Sequence, residues 1–276
     1  MAAQNHRVLR GRAGARPSKR TFCQGFLERS WFFLRPGCSR ARRGRGRAGG
    51  CDRLGVFALQ KRQVVGGRLV ELLSQFVDLA FEFDHALFAP DSQAMYPAGF
   101  QTRVSVTRLP DHLCGLGRPG HFDGVAQVVL KLFHLCLPDV AVFGRKDFQQ
   151  LRVIERMVRD LDVPVRIVGH PTVREPDGLA LSSRNRYLSP AERRLAPLLH
   201  ETLQDLASEV RGGARDVRTL VQDARARLDL AGFRVEYLNA VDPDTLDDLA
   251  ETRRPLLFAI AARLGSTRLI DNELVD

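Results

Sequence analysis

Residues 143–150, FGRKDFQQ, carry side chains suited to phosphate chemistry. They begin at the last residue of the apolar run VAVF (residues 140–143), which is typical of a buried strand, and they open a helical pattern. In open parallel sheets, ligands bind beyond the carboxyl ends of the strands and at helix N-termini. Gly144 allows close approach to the backbone, Lys146 supplies charge for a phosphate, and Asp147 can receive a ribose hydroxyl or an ammonium group. The alternative is a capped helix whose charges are solvated.

A second polar segment, residues 181–186 (LSSRNR), follows the turn signal Asp177-Gly178 and is predicted to be a loop. Ser182 and Ser183 can donate hydrogen bonds to phosphate oxygens. Arg184 can neutralise the charge that develops on a leaving pyrophosphate. The alternative is a polar linker that caps the next helix.

A third segment, residues 118–125 (RPGHFDGV), precedes a long helical pattern. His121 could serve as a general acid or base, because the pKa of histidine lies near neutrality. It could equally be a structural loop histidine, and we favour that role.

Short apolar runs that alternate with amphipathic patterns predict a parallel sheet covered by helices. The predicted strands cover residues 86–88, 102–106, 140–143 and 163–168, and the predicted helices cover residues 68–83, 124–137 and 147–161.

The pattern changes after Arg174, where two helices precede three strands and predict a small α+β domain. The predicted helices cover residues 190–209 and 216–231, and the predicted strands cover residues 234–241, 256–263 and 267–272. Ser189 as N-cap, Pro190 and Glu192 mark the start of the first helix. We place the domain boundary near residues 171–174.

The positive charge of the chain is confined to its start. The 276 residues carry a net charge of +10, whereas residues 1–53 carry +12, from thirteen Arg and one Lys against Glu28 and Asp52. This Arg/Gly-rich stretch favours disorder, and it also has features of an organelle transit peptide or of a basic tail that binds nucleic acid or a membrane surface. The rest of the chain is close to neutral, so we expect no nucleic-acid binding by it.

Cysteine usage and hydropathy exclude several classes of protein. The five cysteines are odd in number and form no CxxC pair, so we expect neither a disulfide framework nor a zinc site. This cysteine usage fits a reducing compartment. No run of about 18 uncharged apolar residues occurs, so no membrane span is predicted.

The motifs resemble those of the pantothenate synthetases in order and spacing. FGRKDFQQ is followed by PTVREPDGLALSSRNRYLS, with MYP and RPGHFDGV upstream and GSTRLIDN near the end. The resemblance covers about residues 86–276. It implies a Rossmann-like nucleotidyltransferase fold with a smaller C-terminal α+β domain, a cytoplasmic location and a homodimer. It also implies that ATP, with Mg²⁺, adenylates pantoate and that β-alanine then attacks the adenylate, giving pantothenate and AMP.

The resemblance also implies roles for single residues. Gly144, Arg145, Lys146 and Asp147 would contact ATP, and Gln150 would hold pantoate. Val173 would bind the adenine through its backbone. Leu181, Ser182, Ser183 and Arg184 would bind the phosphates, with Lys146 and Arg184 as charge stabilisers. Arg145 stands where the family usually has Glu.

The beginning of the chain departs from the family. Residues 1–85 contain neither the P-T-M-G-x-L-H-x-G-H segment, which carries the family's catalytic histidine, nor the pantoate-binding F-V-N-P-x-Q-F segment. We therefore assign no catalytic histidine. Our hypothesis is a frameshift or a mistaken gene model over residues 1–85, which reading the gene in all three frames tests.

The sequence predicts three domains and leaves three candidate functions. Residues 1–53 are expected to be disordered or aberrant, residues 54–172 to form an incomplete Rossmann-like nucleotide-binding domain, and residues 173–276 to form a C-terminal α+β lid domain. We expect a ligase that is weak because half of its phosphate cradle is missing. The alternatives are a non-catalytic remnant of that enzyme and a regulatory protein whose basic arm binds nucleic acid.

Overall fold

The computed structural model describes Phe88 and residues 90–276 in full, together with the backbone of three strands that precede Ala89. A five-stranded sheet has the order β3-β2-β1-β4-β5. Its strands are β1 (Ser30–Pro36), β2 (Arg53–Leu59), β3 (Ala86–Phe88), β4 (Val140–Gly144) and β5 (Arg166–His170). The pairs β2–β3 and β4–β5 are parallel. The sheet is mixed rather than wholly parallel, because β1 runs antiparallel to both β2 and β4.

The strand β1 lies within the stretch for which disorder was expected. The backbone of Ser30–Pro36 pairs with β2 on one side and β4 on the other, so this part of residues 1–53 has a place in the sheet. The rest of that stretch, and the helix predicted over residues 68–83, lie outside the described residues.

Four helices of the described chain precede β5, namely α1 (Ser92–Met95), α2 (Leu113–Leu116), α3 (His121–Cys136) and α4 (Phe148–Asp160). The last two confirm the predicted helices over residues 124–137 and 147–161, with ends shifted by one to three residues. Helix α3 ends where Leu137 adopts a left-handed conformation with φ of 47°, just before Pro138. Leu151, Ile154 and Met157 give α4 a buried face at helical spacing.

The strand predicted over residues 102–106 is wrong, because these residues form an extended segment without a strand partner. Val104 and Val106 pack against the core. On the opposite side, Ser105 Oγ donates to the carboxylate of Asp123 at 2.7 Å, and Arg103 pairs with the same carboxylate. Docking of one face on the core produces the same period-two pattern as a paired strand, so the sequence does not distinguish the two.

The second sheet is antiparallel, in the order β6-β7-β8, and follows three helices. The elements are α5 (Pro190–Leu195), α6 (Leu198–Arg211), α7 (Val217–Leu230), β6 (Phe233–Val241), β7 (Leu256–Leu264) and β8 (Thr267–Val275). The three predicted strands are confirmed. The single helix predicted over residues 190–209 is two helices separated at Ala196-Pro197, since proline has no N–H to continue the helical ladder. The predicted capping box of Ser189 and Glu192 is present at the start of α5.

Strand β7 is buried on both faces and contributes to two hydrophobic cores. Leu257 and Ala259 join the core formed by α3, α4 and the first sheet. Leu256, Phe258 and Ile260 join the core beneath α6 and α7. Because successive side chains of a strand point to opposite faces, the run LLFAI supplies both cores at once. No helix within the described residues is long and apolar enough to cross a membrane.

An ion pair fixes the loop that leaves β5 to the last strand. Asp271 of β8 is 4% exposed and accepts two hydrogen bonds from Arg174, at 2.6 and 3.1 Å. His200 of α6 lies beside this pair, with its Nδ1 3.9 Å from the Asp271 carboxylate. Burial, and then the positive charge of Arg174, lower the pKa of His200 below its ordinary value. The folded chain therefore keeps this imidazole neutral more strongly than the unfolded chain does.

We predict that the free energy of unfolding falls as the pH drops below about 6.5, the ordinary pKa of histidine. The unfolded chain takes up a proton at position 200 first, so the stability present above that pH is lost as the pH falls towards the lower folded pKa of His200. Urea unfolding of the chain and of His200→Gln between pH 5 and pH 7.5 measures this. The variant should lose less stability on acidification.

The exposed His134 of α3 provides the matched control. His134→Gln should keep the pH dependence of the unaltered chain. If His200→Gln shows the same dependence as well, another group is responsible.

Candidate active site

A cleft lies between the carboxyl end of β4 and the second sheet, with about 730 Å³ of empty volume, part of it open to solvent. One wall comes from the segments around β4 and α3. The other comes from the loop before α5 and from β6, β7 and β8. Four residues that the sequence singled out for ATP, pantoate or charge stabilisation line it: Lys146, Asp147, Gln150 and Arg184. Arg118 and His121 of the third motif line it as well.

The other predicted site residues lie near the cleft but do not line it. Gly144 ends β4, opposite His170 of β5. The carbonyl oxygen of Val173 accepts the backbone N–H of Leu181 at 2.9 Å. Ser182 caps the 3-10 turn Ser183–Tyr187 by accepting the N–H of Arg184 at 3.1 Å, and it lines a second, smaller cavity.

One hydrogen bond joins the two main motifs. Nζ of Lys146 donates to the backbone carbonyl of Leu181 at 3.2 Å, although the two residues are 35 positions apart in the chain. This contact places the start of the LSSRNR loop against the end of β4. The two motifs predicted to bind phosphates therefore belong to one site.

The last strand holds the backbone of the first motif. Nδ2 of Asn272 donates to the carbonyl oxygens of Arg145 and Lys146, at 3.0 and 2.8 Å. These residues begin a 3-10 turn, Arg145–Asp147, between β4 and α4. The turn is thus fixed by a side chain more than a hundred residues away.

The side chain of Arg145 lies along β5 and does not line the cleft. A Cβ atom at Gly169 would lie 3.2 Å from its Nε and 3.3 Å from its Cγ, so glycine leaves room for the arginine stem. The positive charge at this position is thus directed along the sheet surface.

The two neighbouring glutamines have different surroundings. Gln149 is 6% exposed, and its amide makes three hydrogen bonds to the loop that follows residue 108. It accepts the N–H of Cys114 at 3.0 Å and donates to the carbonyls of Leu109 and His112, at 2.8 and 2.7 Å. Gln150 is partly exposed and makes no side-chain hydrogen bond with the described residues. Of the two, only Gln150 has an amide available for a ligand.

Charged side chains brace the base of the LSSRNR loop. Arg193 binds the carboxylates of Asp177 and Glu175, each at 2.5 Å, and Nδ2 of Asn185 donates to Glu175 at 2.6 Å. Arg193 holds the pKa of Asp177 below its ordinary value. Gly178 has φ of +90°, and a Cβ there would lie 2.7 Å from the His200 ring, so the turn requires glycine.

A polar network that sequence reasoning missed lies in the cleft wall. Sγ of Cys114 is 3.0 Å from the Tyr237 hydroxyl and accepts from Nη2 of Arg268 at 3.4 Å. Burial, followed by the contact with Cys114, raises the pKa of Tyr237 well above its ordinary value, so the phenol stays neutral. The available signal was the GSTRLIDN motif, in which alternate residues Arg268, Ile270 and Asn272 share a strand face.

The fold and the site define a nucleotidyltransferase-like protein, with lysine and aspartate at the end of a central strand and an arginine loop across a cleft. The sequence model of pantoate–β-alanine ligase matches residues 73–274, and the chain belongs to that family.

Known relatives agree with this assignment. The pantothenate synthetases of Pseudomonas entomophila and Alkalilimnicola ehrlichii are 57% and 55% identical over 190 and 189 residues, which cover 68% of this chain and 66% of each relative. The chain thus matches just under two thirds of the length of these relatives.

Solved structures agree as well. The pantothenate synthetase of Thermus thermophilus superposes with a TM-score of 0.68 at 45% identity, covering 74% of both chains. The Francisella tularensis pantoate–β-alanine ligase, complexed with β,γ-ATP and β-alanine, gives a TM-score of 0.60 at 28% identity, covering 76% of this chain and 70% of that one. The sequence resemblance is therefore confirmed.

We predict that Gln149→Leu lowers the free energy of unfolding by about 3 kcal/mol, from three lost hydrogen bonds at roughly 1 kcal/mol each. Gln150→Leu is the matched control, and it should change stability by less than about 0.5 kcal/mol because its amide bonds to no described residue. Denaturant unfolding of both variants measures the difference. Equal losses would contradict the structural role of Gln149.

Proposed function

We propose that the chain catalyses the ATP-dependent ligation of pantoate and β-alanine through a pantoyl adenylate. A carboxylate oxygen of pantoate attacks the α-phosphorus of ATP, and pyrophosphate leaves. The amine of β-alanine then attacks the acyl carbon, and AMP leaves with the bonding electron pair. The observation that carries the proposal is the Lys146–Leu181 hydrogen bond, which brings the FGRKDFQQ and LSSRNR motifs together.

Lys146 and Arg184 act as charge stabilisers in this scheme. Both line the cleft, and both are cations that can hold oxygens of the phosphate chain as negative charge moves onto the leaving pyrophosphate. Their contribution is electrostatic and positional. No proton has to move through either side chain.

ATP and pantoate are assigned to neighbouring parts of the site. Lys146 and Asp147 contact ATP with their side chains and Gly144 and Arg145 with their backbone, and Leu181, Ser182, Ser183 and Arg184 form the loop over its phosphates. The adenine meets the backbone of Val173, which is exposed at the end of the β5 loop. Gln150 holds pantoate, supported by its place in the cleft wall and its available amide.

Mg²⁺ is proposed as the counter-ion of ATP. Within the described residues, no group of three or more His, Cys, Asp or Glu side chains could hold a metal ion. Mg²⁺ is usually bound by one or two carboxylates and by substrate phosphates. Asp147 lines the cleft and would be the carboxylate that holds the ion together with the phosphates. The ion would neutralise phosphate charge.

We also propose a nucleotide-binding domain, residues 54–172, and a lid domain, residues 173–276; the second core, which lies wholly within residues 179–275, supports the lid domain as a unit. We propose a cytoplasmic homodimer, as the family resemblance implies. The missing P-T-M-G-x-L-H-x-G-H segment supports weak activity, because that segment would supply the facing wall of the phosphate site.

We predict that the full chain releases little pyrophosphate from ATP, even with pantoate and β-alanine present. A chimera whose residues 1–85 are replaced by the corresponding segment of the Pseudomonas entomophila relative should release pyrophosphate only when both acids are present. Coupled pyrophosphate assays on both proteins and on the relative measure this. Turnover by the unaltered chain at the relative's rate would overturn the expected impairment, and a folded but inactive chimera would overturn the proposed ligase activity.

In the active chimera, Lys146→Met and Arg184→Met should each lower kcat by about a hundredfold to a thousandfold, because each removes charge stabilisation from the transition state. Arg186→Met is the matched control. Arg186 is exposed two positions further along the same loop, and its guanidinium bonds to Tyr187. The kcat of Arg186→Met should stay within about twofold of that of the active chimera. Steady-state kinetics compares the three variants, and equal losses would point to the loop's folding instead.

A further inference from the structure

The guanidinium of Arg268 is a cleft cation with no part in the proposed phosphate chemistry. Its side chain is 17% exposed and lines both cavities. It lies on the same face of β8 as Asn272, the face that turns towards β4. A buried cation is costly unless its donors and its charge are satisfied.

Its hydrogen bonds leave part of the guanidinium without acceptors. Nε donates to Oε2 of Glu236 at 2.7 Å, and Nη2 donates to Sγ of Cys114 at 3.4 Å. A guanidinium has five N–H donors, and a thiol sulfur is a weak acceptor. The guanidinium also hydrogen-bonds the Tyr237 hydroxyl, so three of its five donors have partners among the described residues. A planar pair of donors therefore remains available to an oxygen anion.

The charge around Arg268 is also incompletely balanced. Oε1 of Glu236 accepts from Nε of Arg263 at 2.9 Å, so one carboxylate serves two guanidinium groups. Burial alone raises the pKa of Glu236, but the hydrogen bonds and charge of Arg268 and Arg263 hold it below its ordinary value. The carboxylate is thus ionised, and the three groups sum to one positive charge. The neighbouring Tyr237 phenol is neutral and does not cancel it.

We infer that Arg268 binds a substrate carboxylate in the cleft that also contains Lys146, Arg184 and Gln150. A carboxylate offers two oxygens that match the donor fork of a guanidinium, and it carries the missing negative charge. The identity of the acid rests on the proposed function, because pantoate and β-alanine each bring one carboxylate. Gln150 in the same cleft provides the neutral amide that a hydroxyl group of pantoate needs.

The test measures binding rather than turnover. Isothermal titration calorimetry of the purified full chain with pantoate, with β-alanine and with ATP gives three separate dissociation constants. Arg268→Met should raise the dissociation constant of the acid that Arg268 binds by about tenfold to hundredfold. The dissociation constant of ATP should change by less than about threefold.

Arg263→Met is the matched control. Arg263 shares Glu236 with Arg268 but does not line the cleft. Its replacement should therefore leave all three dissociation constants within about twofold of those of the unaltered chain. In each variant the remaining arginine still pairs with Glu236, so neither change leaves that carboxylate unpaired. Equal weakening by both variants, or unchanged acid binding in a folded Arg268→Met chain, would overturn the inference.

Comparing each acid with an analogue that lacks the carboxylate tests the inference even if Arg268→Met does not fold. Pantoyl lactone and β-alaninamide lack the carboxylate, so the unaltered chain should bind at least one of them about tenfold more weakly than the parent acid. Equal affinity for both pairs, or binding of neither acid, overturns the inference. Carboxylate binding that depends on Arg268, together with an inactive chimera, would reject the ligase proposal and leave the anion site standing.

Discussion

The side-chain amide of Asn272 bonds to two consecutive carbonyl oxygens, those of Arg145 and Lys146, and the position of the cleft depends on this contact. The segment that follows β4 turns from a strand into a helix through the 3-10 turn Arg145–Asp147, and these two carbonyls precede the first residue of α4. Asn272 satisfies them from the second sheet. The lysine that follows the strand is therefore oriented by the last strand of the chain, and its Nζ can reach Leu181. Without that amide, the turn that carries Lys146 would lose its two side-chain hydrogen bonds to the second sheet.

Strand β7 makes this contact rigid. Its alternate side chains fill two different cores, so the second sheet cannot slide relative to α3 and α4 without exposing apolar surface on one side. Arg152 adds a polar tie, because its Nε donates to the carbonyl of Pro243 at 2.7 Å in the turn after β6. A second sheet that is joined to the first by a shared strand and by side-chain hydrogen bonds is suited to positioning. Reactions at phosphorus depend largely on positioning and charge neutralisation.

Local signals predicted most of the elements after residue 85, because their causes lie within each segment. The capping box of Ser189 and Glu192 and the apolar spacing in α4 are examples. The errors have non-local causes. Whether residues 102–106 pair with another strand depends on which backbone lies beside them, and their alternation of buried and exposed positions is the same in both cases. The break at Pro197 was available in the sequence, but the amphipathic pattern continued through it.

Much the same division applies to the candidate site. Residue type and spacing singled out Lys146, Asp147, Gln150 and Arg184, because charged and amide groups after a buried strand or in a loop are recognisable without a fold. The network of Cys114, Tyr237 and Arg268 was not recognisable, because its members come from three distant elements. Their proximity follows from the position of β8, and a β-bulge between Val235 and Tyr237 shifts the register of β6 beside them. A cleft built this way takes some of its polar groups from sequence motifs and others from the packing of distant elements, and only a three-dimensional structure shows the second set.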